Sequence, residues 1–422
     1  MCAQIERRGT TPSAFEPAFD FPLDIWSYIS DTLAADEDYD TLNACALTCK
    51  TFYDLCIRHI FTNVAICDYP PDSDDQLASV MRFKELLKSN STVTKYVKKF
   101  SLFFKSTALE FLEIGPILEG LPNVNDFLLS FDNPKISWAT IPDTVKQPIQ
   151  HFILSSRIII FRLQFVRLFP VSLIASLTHL KFLEFMSGVS LSADDVGANS
   201  DKRRITRPHS LKMGFNCWRG TKLLLRREDP PLHFRIPSKV ILCHIQTSKE
   251  ERYLQRLLRR LSNLKSLEVQ VLPRRIHKPI RHFQFAKHLH PSAMKTLSTL
   301  KLSFAIQTEA EDPYGGACEE LRVLASEKCP LKRIYFTVKL YRNDVCSTDI
   351  GVWGKINDVV TQSNFPHLHD VFFEVINYTR TTMDDDLFDR LCDVADDAFT
   401  LFDITRTFTI RTELMHEGEG PH

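Results

Sequence analysis

The sequence predicts an α/β protein in two parts: an N-terminal unit of three short helices, then a longer array of strands alternating with helices or coil. Between residues 20 and 61, apolar residues recur at the three- and four-residue spacing of helices. From about residue 80, short apolar segments typical of strands recur at roughly 25 to 37 residues. A length of 422 residues also exceeds that of one typical domain.

Composition limits the classes of partner and compartment. The 52 Lys and Arg residues balance 52 Asp and Glu residues, which argues against bulk nucleic acid or an anionic membrane as the main partner. Eleven cysteines without a CxxC pair do not form the pattern of a secreted disulfide framework. The most apolar stretch, residues 152–169, contains three arginines and is too short and too charged to span a bilayer. We therefore expect a cytoplasmic or nuclear protein.

The helical unit follows a leader without periodicity. Pro22 suits a first helical turn, and Trp26, Ile29 and Leu33 then follow at i, i+3 and i+7. Two further helices are expected on the same grounds, around Leu42 to Cys49 and Phe52 to His59. The predicted boundaries are 1–19 for a disordered leader, 20–66 for the helical unit, 67–79 for an acidic, proline-containing linker, 80–405 for the repeat domain and 406–422 for a C-terminal tail.

Three helices within about 40 residues cannot bury all their apolar faces against one another. Each large apolar side chain left in water forgoes roughly 1.5–3 kcal/mol. Two explanations stay open at this point. The apolar faces form an interface with another protein, or they dock onto the C-terminal part of this chain.

The array carries a recurring leucine phrase, as in "LTHLKFLEF" from residue 177 and "LSNLKSLEV" from residue 261. Leucines at this spacing are expected to point inward and to pack on the next unit. A parallel-sheet α/β domain would give a similar alternation. The predicted extended segments are Val97–Phe104, Val124–Leu129, Phe152–Leu154, Leu180–Phe185, Leu211–Phe215, Lys239–Ile245, Leu264–Val271, Leu297–Phe304, Leu331–Val338 and Leu368–Val375.

The helical unit resembles the F-box in its divergent fungal form. The resemblance covers about 45 residues: "FPLDIW" from residue 21, then Ile29, Leu33 and Leu42, and the closing "TCKTF" from residue 48. Phe21 stands where the family usually has leucine, and Phe52 where it usually has tryptophan. Both are exchanges between large apolar residues, which packed interfaces tolerate. The array behind it is similar to a degenerate, irregular leucine-rich-repeat solenoid.

The resemblance implies a non-catalytic substrate receptor of a cullin-type (SCF) ubiquitin ligase. The helical unit would bind the Skp-family adaptor, which links it to the cullin scaffold, and the array would hold a target protein that the sequence does not identify. The residues expected to bind the adaptor are Pro22, Leu23, Ile25, Trp26, Ile29, Leu42, Leu47, Cys49 and Phe52. Leu33, Cys45 and Leu55 are the residues that could instead form the core of the unit.

Other features carry less weight. The basic run 272–290 could bind an acidic or phosphorylated partner, act as a nuclear signal, or be a solvated loop. Its four histidines lack metal-ligand spacing, and neither Cys217 nor Cys318 has an evident histidine partner. We expect no catalytic residue, cofactor or metal. The alternative function is an interaction scaffold unconnected with ubiquitin ligases.

Overall fold

A computed structural model gives the architecture. It describes residues 22–68, 75–104, 114–131, 136–193, 208–217, 237–243, 248–271, 284–306, 313–340, 355–356, 358–360, 363–379, 389, 393 and 405–414. The chain divides into two compact units: a helical unit that ends at Asn63 and a sheet unit that begins at Val64. The predicted α/β class is confirmed.

The helical unit consists of α1 (Leu23–Ala35), α2 (Tyr39–Ala46) and α3 (Lys50–Ile60). Pro22 precedes α1 with φ of −56°, where its missing N–H costs no helical hydrogen bond. The Asp38 carboxylate caps α2 by accepting the Thr41 N–H at 3.0 Å. Ser30, Leu42, Cys56 and Ile57 are its buried residues.

The sheet unit is built on a sheet of twelve strands whose spatial order follows the chain, and each strand pair from β2 to β14 is parallel. Its strands are β1 (Asn63–Asp68), β2 (Lys99–Phe104), β3 (Asp126–Phe131), β4 (Ile160–Gln164), β6 (Phe182–Ser187), β8 (Ser210–Phe215), β9 (Lys239–Cys243), β10 (Ser266–Val271), β11 (Thr299–Ile306), β12 (Arg333–Leu340), β13 (Asp370–Thr379) and β14 (Thr405–Leu414). β5 (Phe169–Pro170) and β7 (Leu191–Ser192) form a separate short parallel pair.

Helices fill several of the crossovers between the parallel strands. They are α4 (Asp75–Ser89), α5 (Gly115–Glu119), α6 (Asp143–Ser155), α7 (Val171–Ser176), α8 (Ser248–Leu258), α9 (Pro291–Met294) and α10 (Pro313–Ser326). Short 3₁₀ turns lie at Val93–Lys95, Trp138–Thr140 and Ala286–His288. Their apolar residues, such as Ile149 on α6 and Leu257 on α8, join one continuous core with the strands.

That core covers one face of the sheet. Phe100, Phe127 and Phe161 are in register on neighbouring strands, and their rings lie 6.2 and 5.9 Å apart. The same row continues through fully or nearly fully buried side chains at Leu183, Leu211, Val240, Leu267, Leu300, Ile334 and Val371. Alternate residues point to the opposite face, which is polar and largely half-buried.

One predicted strand is wrong. Phe152–Leu154 lies in α6, where Val145, Ile149 and Phe152 or Ile153 are buried at helical spacing. The strand of that repeat is β4, which the sequence reasoning did not identify. The other nine predicted segments each overlap an observed strand.

Three predicted boundaries also differ from the structure. Residues 64–66 were assigned to the helical unit, but they belong to the sheet unit, within β1 at the edge of the large sheet. The predicted linker 67–79 contains the first residues of α4, and the predicted tail contains most of β14. Both elements pair or pack with neighbours far along the chain, which local composition does not reveal. The predicted leader, residues 1–19, lies outside the described residues.

Candidate functional site

Exposed apolar side chains are concentrated on the helical unit. Seven of the eleven large apolar residues exposed in the described ranges lie between residues 23 and 53: Leu23, Ile25, Tyr28, Ile29, Tyr39, Leu47 and Tyr53. Leu47 is 80% exposed and Leu23 is 60% exposed. Large exposed apolar side chains concentrated in so short a part of the chain are typical of an interaction site. We call these seven residues the apolar surface.

The geometry of α1 places several of them together. Ile25 and Ile29 are four residues apart and therefore lie on one side of the helix, with Tyr28 beside them. Leu23 begins the helix and Pro22, also exposed, precedes it. Leu47 follows α2, and the exposed Cys49 immediately precedes α3.

The remaining predicted binding residues lie inward. Leu42 is fully buried, so its side chain is not available to a partner in this conformation. Trp26 and Phe52 are half-buried and meet edge to face, with ring centroids 4.4 Å apart. Leu33, Cys45 and Leu55 are also half-buried. The sequence analysis grouped Trp26, Leu42 and Phe52 with the binding residues, whereas it gave Leu33, Cys45 and Leu55 as possible core residues.

A polar cluster joins α1 to α3 within the helical unit. Asp31 Oδ1 lies 2.9 Å from both Arg58 Nη2 and His59 Nε2, and Arg58 Nη2 also donates to Ser27 Oγ at 2.8 Å. Burial and then the Arg58 charge lower the pKa of His59, which favours a neutral imidazole, and Arg58 Nε donates to His59 Nε2 at 3.1 Å. The cluster links α1, which carries Ser27 and Asp31, to the end of α3.

The polar face of the sheet carries a chain of alternating charges. Arg162 on β4 lies 2.9 Å from Asp126 on β3 and 3.3 Å from Glu184 on β6, and Lys212 on β8 donates to Glu184 at 2.6 Å. Burial raises the pKa of Asp126, and the Arg162 charge opposes that rise. Burial is the largest single effect on Lys212 and disfavours its charge, but the hydrogen bond to Glu184 and the Glu184 charge together outweigh it and raise the pKa of Lys212.

Farther along, the same row becomes aromatic. Lys301, Tyr335 and Phe372 are in register on β11, β12 and β13. Lys301 Nζ lies 4.6 Å from the Tyr335 ring centroid, and the Tyr335 and Phe372 rings stack at 4.5 Å. All three side chains are half-buried, so this face offers charge and flat apolar area together.

Two buried glutamates were not predicted from the sequence. Glu320 accepts the backbone N–H groups of Phe285 and Ala286 at 2.9 and 2.6 Å, and Glu250 accepts the Asn216 N–H at 2.7 Å. Each reaches a residue more than thirty positions earlier, so no local signal could have identified it. Glu320 satisfies two buried backbone donors, and Glu250 makes a part-buried bond to the N–H of Asn216.

The cysteines considered as nucleophiles are buried. Cys217 lies within hydrogen-bonding distance of the Phe185 carbonyl, and burial raises the pKa of its thiol to about 12. Such a thiol is protonated at neutral pH and is a poor nucleophile. Cys318 is also buried.

In the described ranges, no group of three or more His, Cys, Asp or Glu residues is arranged to hold a metal ion. No helix there is long and apolar enough to cross a membrane. Most of the basic run, residues 272–283, lies outside the described part of the chain. Comparison with models of known protein families and with curated proteins gives no match to this chain.

Proposed function

We propose that this chain is the substrate receptor of a cullin-type ubiquitin ligase, with its helical unit bound to the Skp-family adaptor and its sheet unit bound to a target. The observation that carries the proposal is the apolar surface of the helical unit. A free protein gains nothing from leaving Leu23, Ile25 and Leu47 in water, whereas a partner that covered them would recover roughly 1.5–3 kcal/mol for each.

The proposed adaptor contacts are Tyr28 and the exposed members of the predicted set. Those members are Pro22, Leu23, Ile25, Ile29, Leu47 and Cys49. Leu42 supports them from the core of the unit, and the Trp26–Phe52 pair holds α1 against α3. This arrangement combines apolar anchors at the surface with a small rigid frame, which is what a helix-mediated interface requires.

We further propose that the sheet unit is an irregular leucine-rich-repeat-like solenoid. Strand order along the chain supports it, and so does a continuous ladder of hydrogen bonds at the start of the strands. From β3 to β13, the residue preceding each strand of the large sheet donates its N–H to the equivalent carbonyl one repeat earlier, as from Asn125 to Lys98 and from His369 to Lys332. The spacing of equivalent donors ranges from 22 residues (Ile159 to Lys181) to 37 residues (Lys332 to His369).

The buried pattern supports the same proposal. Apolar residues recur at positions 1, 4 and 6 of each repeat, as in Leu264, Leu267 and Val269, or Leu297, Leu300 and Leu302. Sheets that are parallel throughout usually have both faces covered by helices, and their strands are then apolar on both sides. Here β2 and β4 alternate between buried and half-buried or exposed residues, which favours one covered and one open face at these strands, whereas β3 and β9 are buried at most positions.

The open face would hold the target. Its half-buried charges and aromatic rings provide polar and apolar contacts on a rigid surface. The chain itself would supply no catalytic group: it would raise the effective concentration of the target near the ubiquitin-loaded enzyme that the cullin recruits.

A binding assay with a purified Skp-family adaptor tests the proposal. Wild type is expected to bind, and the double variant Leu23→Asp, Ile25→Asp to bind at least about 30-fold more weakly, since two exposed anchors are lost. Leu154→Asp is the matched control, because Leu154 is 57% exposed but lies on α6 of the sheet unit. Its binding should equal that of wild type.

Because both substituted side chains of the double variant are exposed, its circular dichroism spectrum should match that of wild type. Equal adaptor binding by wild type and the double variant would contradict the proposal. Absence of wild-type binding would favour the interaction scaffold instead.

A further inference from the structure

An unusual backbone conformation marks the segment that follows β4. Phe165 and Leu168 have φ of +56° and +55°, a left-handed conformation that L-residues with bulky side chains rarely adopt. The other non-glycine residues with positive φ in the described ranges are Glu37, Asn216 and Lys328, all polar. We call residues 165–168 the Phe165 loop.

Hydrogen bonds on both sides hold this loop in its strained form. The Phe165 N–H donates to the Ser187 carbonyl, and the Leu168 N–H donates to Ser190 Oγ at 3.0 Å. Arg167 O accepts the Trp138 N–H at 2.8 Å, and Val166 O accepts the Ser190 N–H at 3.0 Å. Strain persists only where surrounding contacts determine the conformation this fully.

The side chains of Phe165 and Leu168 do not offset this strain by packing into the core. Val166 is fully buried and anchors the loop, but Phe165 is 38% exposed and Leu168 45% exposed. A Cβ atom at Gly188 would lie 2.9 Å from the Phe165 ring, so the ring rests on glycine and turns its other side to solvent. Asn or Gly would fit the backbone at both positions with less strain. Exposed Phe and Leu therefore suit a contact outside the fold.

Charge defines the contact further. Arg167 is exposed between the two apolar residues, and in the described part of the chain no carboxylate forms an ion pair with its side chain. Arg162, at the adjacent strand, is already neutralised by Asp126 and Glu184. An arginine beside rigid apolar groups is the composition of an interface hot spot.

We propose that the Phe165 loop is a docking site for a peptide segment that carries a carboxylate between apolar side chains. The apolar side chains would cover Phe165 and Leu168, and the carboxylate would pair with Arg167. In assigning this segment to the target protein, the inference rests on the proposed function. Because the site lies on the sheet unit, it is separable by experiment from adaptor binding.

The test uses the full chain and a phage-displayed library of random dodecapeptides. Selection on wild type is expected to enrich peptides with Asp or Glu flanked by Leu, Ile or Phe. These peptides should bind the double variant Phe165→Asn, Leu168→Asn at least about tenfold more weakly. Leu154→Asn, which replaces a more exposed leucine on α6, should leave their affinity unchanged. Arg167→Glu should shift selection toward basic peptides.

The double variant also controls for misfolding. Asn tolerates the left-handed conformation, so this variant is expected to melt at the same temperature as wild type or higher. Enrichment of no peptide, of peptides without an acidic residue, or of peptides that bind the double variant equally would overturn the inference. Adaptor binding, measured on the same samples, should be unchanged in the double variant. If wild type does not bind the adaptor, that result contradicts the proposed function but not the peptide-docking site.

Discussion

At the scale of single residues, Asp31 is shared by two neighbouring side chains of α3. Arg58 and His59 both contact its Oδ1 atom at 2.9 Å, and burial followed by the Arg58 charge lowers the pKa of His59 below its ordinary 6.5. The folded unit therefore binds a proton less readily than the unfolded chain. The contribution of neutral His59 to the stability of the folded unit is therefore fully present above pH 6.5. It decreases as the pH falls from 6.5 to the lowered pKa.

The direction of the His59 pKa shift predicts how the stability of the helical unit depends on pH. Between about pH 7.5 and about pH 5.5, amide protection of α1 and α3 should decrease in wild type, after correction for intrinsic exchange rates. His59→Gln should show a smaller decrease, because its side chain does not titrate. The comparison variant is His151→Gln, which replaces an exposed histidine on α6. Equal pH dependence in wild type and His59→Gln would exclude His59 as the cause.

The sequence did not predict which apolar residues of the candidate site are exposed. Ile25, Ile29 and Leu42 all satisfy the apolar spacing of a helix, yet the first two are exposed and the third is fully buried. Spacing identifies one side of each helix, but which sides face one another depends on the packing of three helices together. The exposed set could not be separated from the core set without the tertiary structure.

At the scale of elements, long-range caps connect neighbouring repeats. Glu320 on α10 accepts two backbone N–H groups at the start of the 3₁₀ turn Ala286–His288. Burial raises the pKa of Glu320, and those two hydrogen bonds oppose the rise. The carboxylate lies in a buried position as the acceptor of these two N–H groups, whose hydrogen bonds offset part of the cost of burying it.

Glu320→Ala should therefore be strongly destabilising. Two buried N–H groups would lose their acceptor, at about 1–3 kcal/mol each, so we expect a loss of about 2–6 kcal/mol in the free energy of unfolding of the sheet unit. Denaturation in urea measures the change. Glu319→Ala is the matched control, since Glu319 is adjacent and exposed, and it should change stability by less than about 0.5 kcal/mol. Similar losses in both variants would show that the cap contributes little.

Elements differed in how well the sequence predicted them. The phrase Leu-x-x-Leu-x-apolar located β10 and β11 because it fixes both a buried row and a strand start. In residues 152–169 the same apolar density covers the end of α6, β4 and β5, so composition alone assigned a strand within the helix. Helical spacing of Val145, Ile149 and Phe152 was the signal that could have corrected it.

At the scale of the whole molecule, the order of the strands determines how stability is shared in the sheet unit. Each strand pairs only with the strands before and after it in the large sheet, and no pairing joins distant repeats in the described ranges. In such an array, stability is close to a sum of contributions from repeats and from their nearest-neighbour interfaces. A substitution that destabilises one repeat should therefore destabilise its neighbours less, and distant strands least.

Leu300→Ala tests this in β11. Leu300 is fully buried in the central apolar row, and its truncation should cost about 2–5 kcal/mol. Hydrogen exchange should increase most in β10, β11 and β12, less in β9 and β13, and least in β2 to β4, because each interface transmits only part of the loss. Ser303→Ala, on the other face of β11 and half-buried, should leave the exchange pattern near that of wild type. A uniform increase across every strand would instead mean that the twelve strands unfold as one cooperative domain, and the repeat description of the sheet unit would then fail.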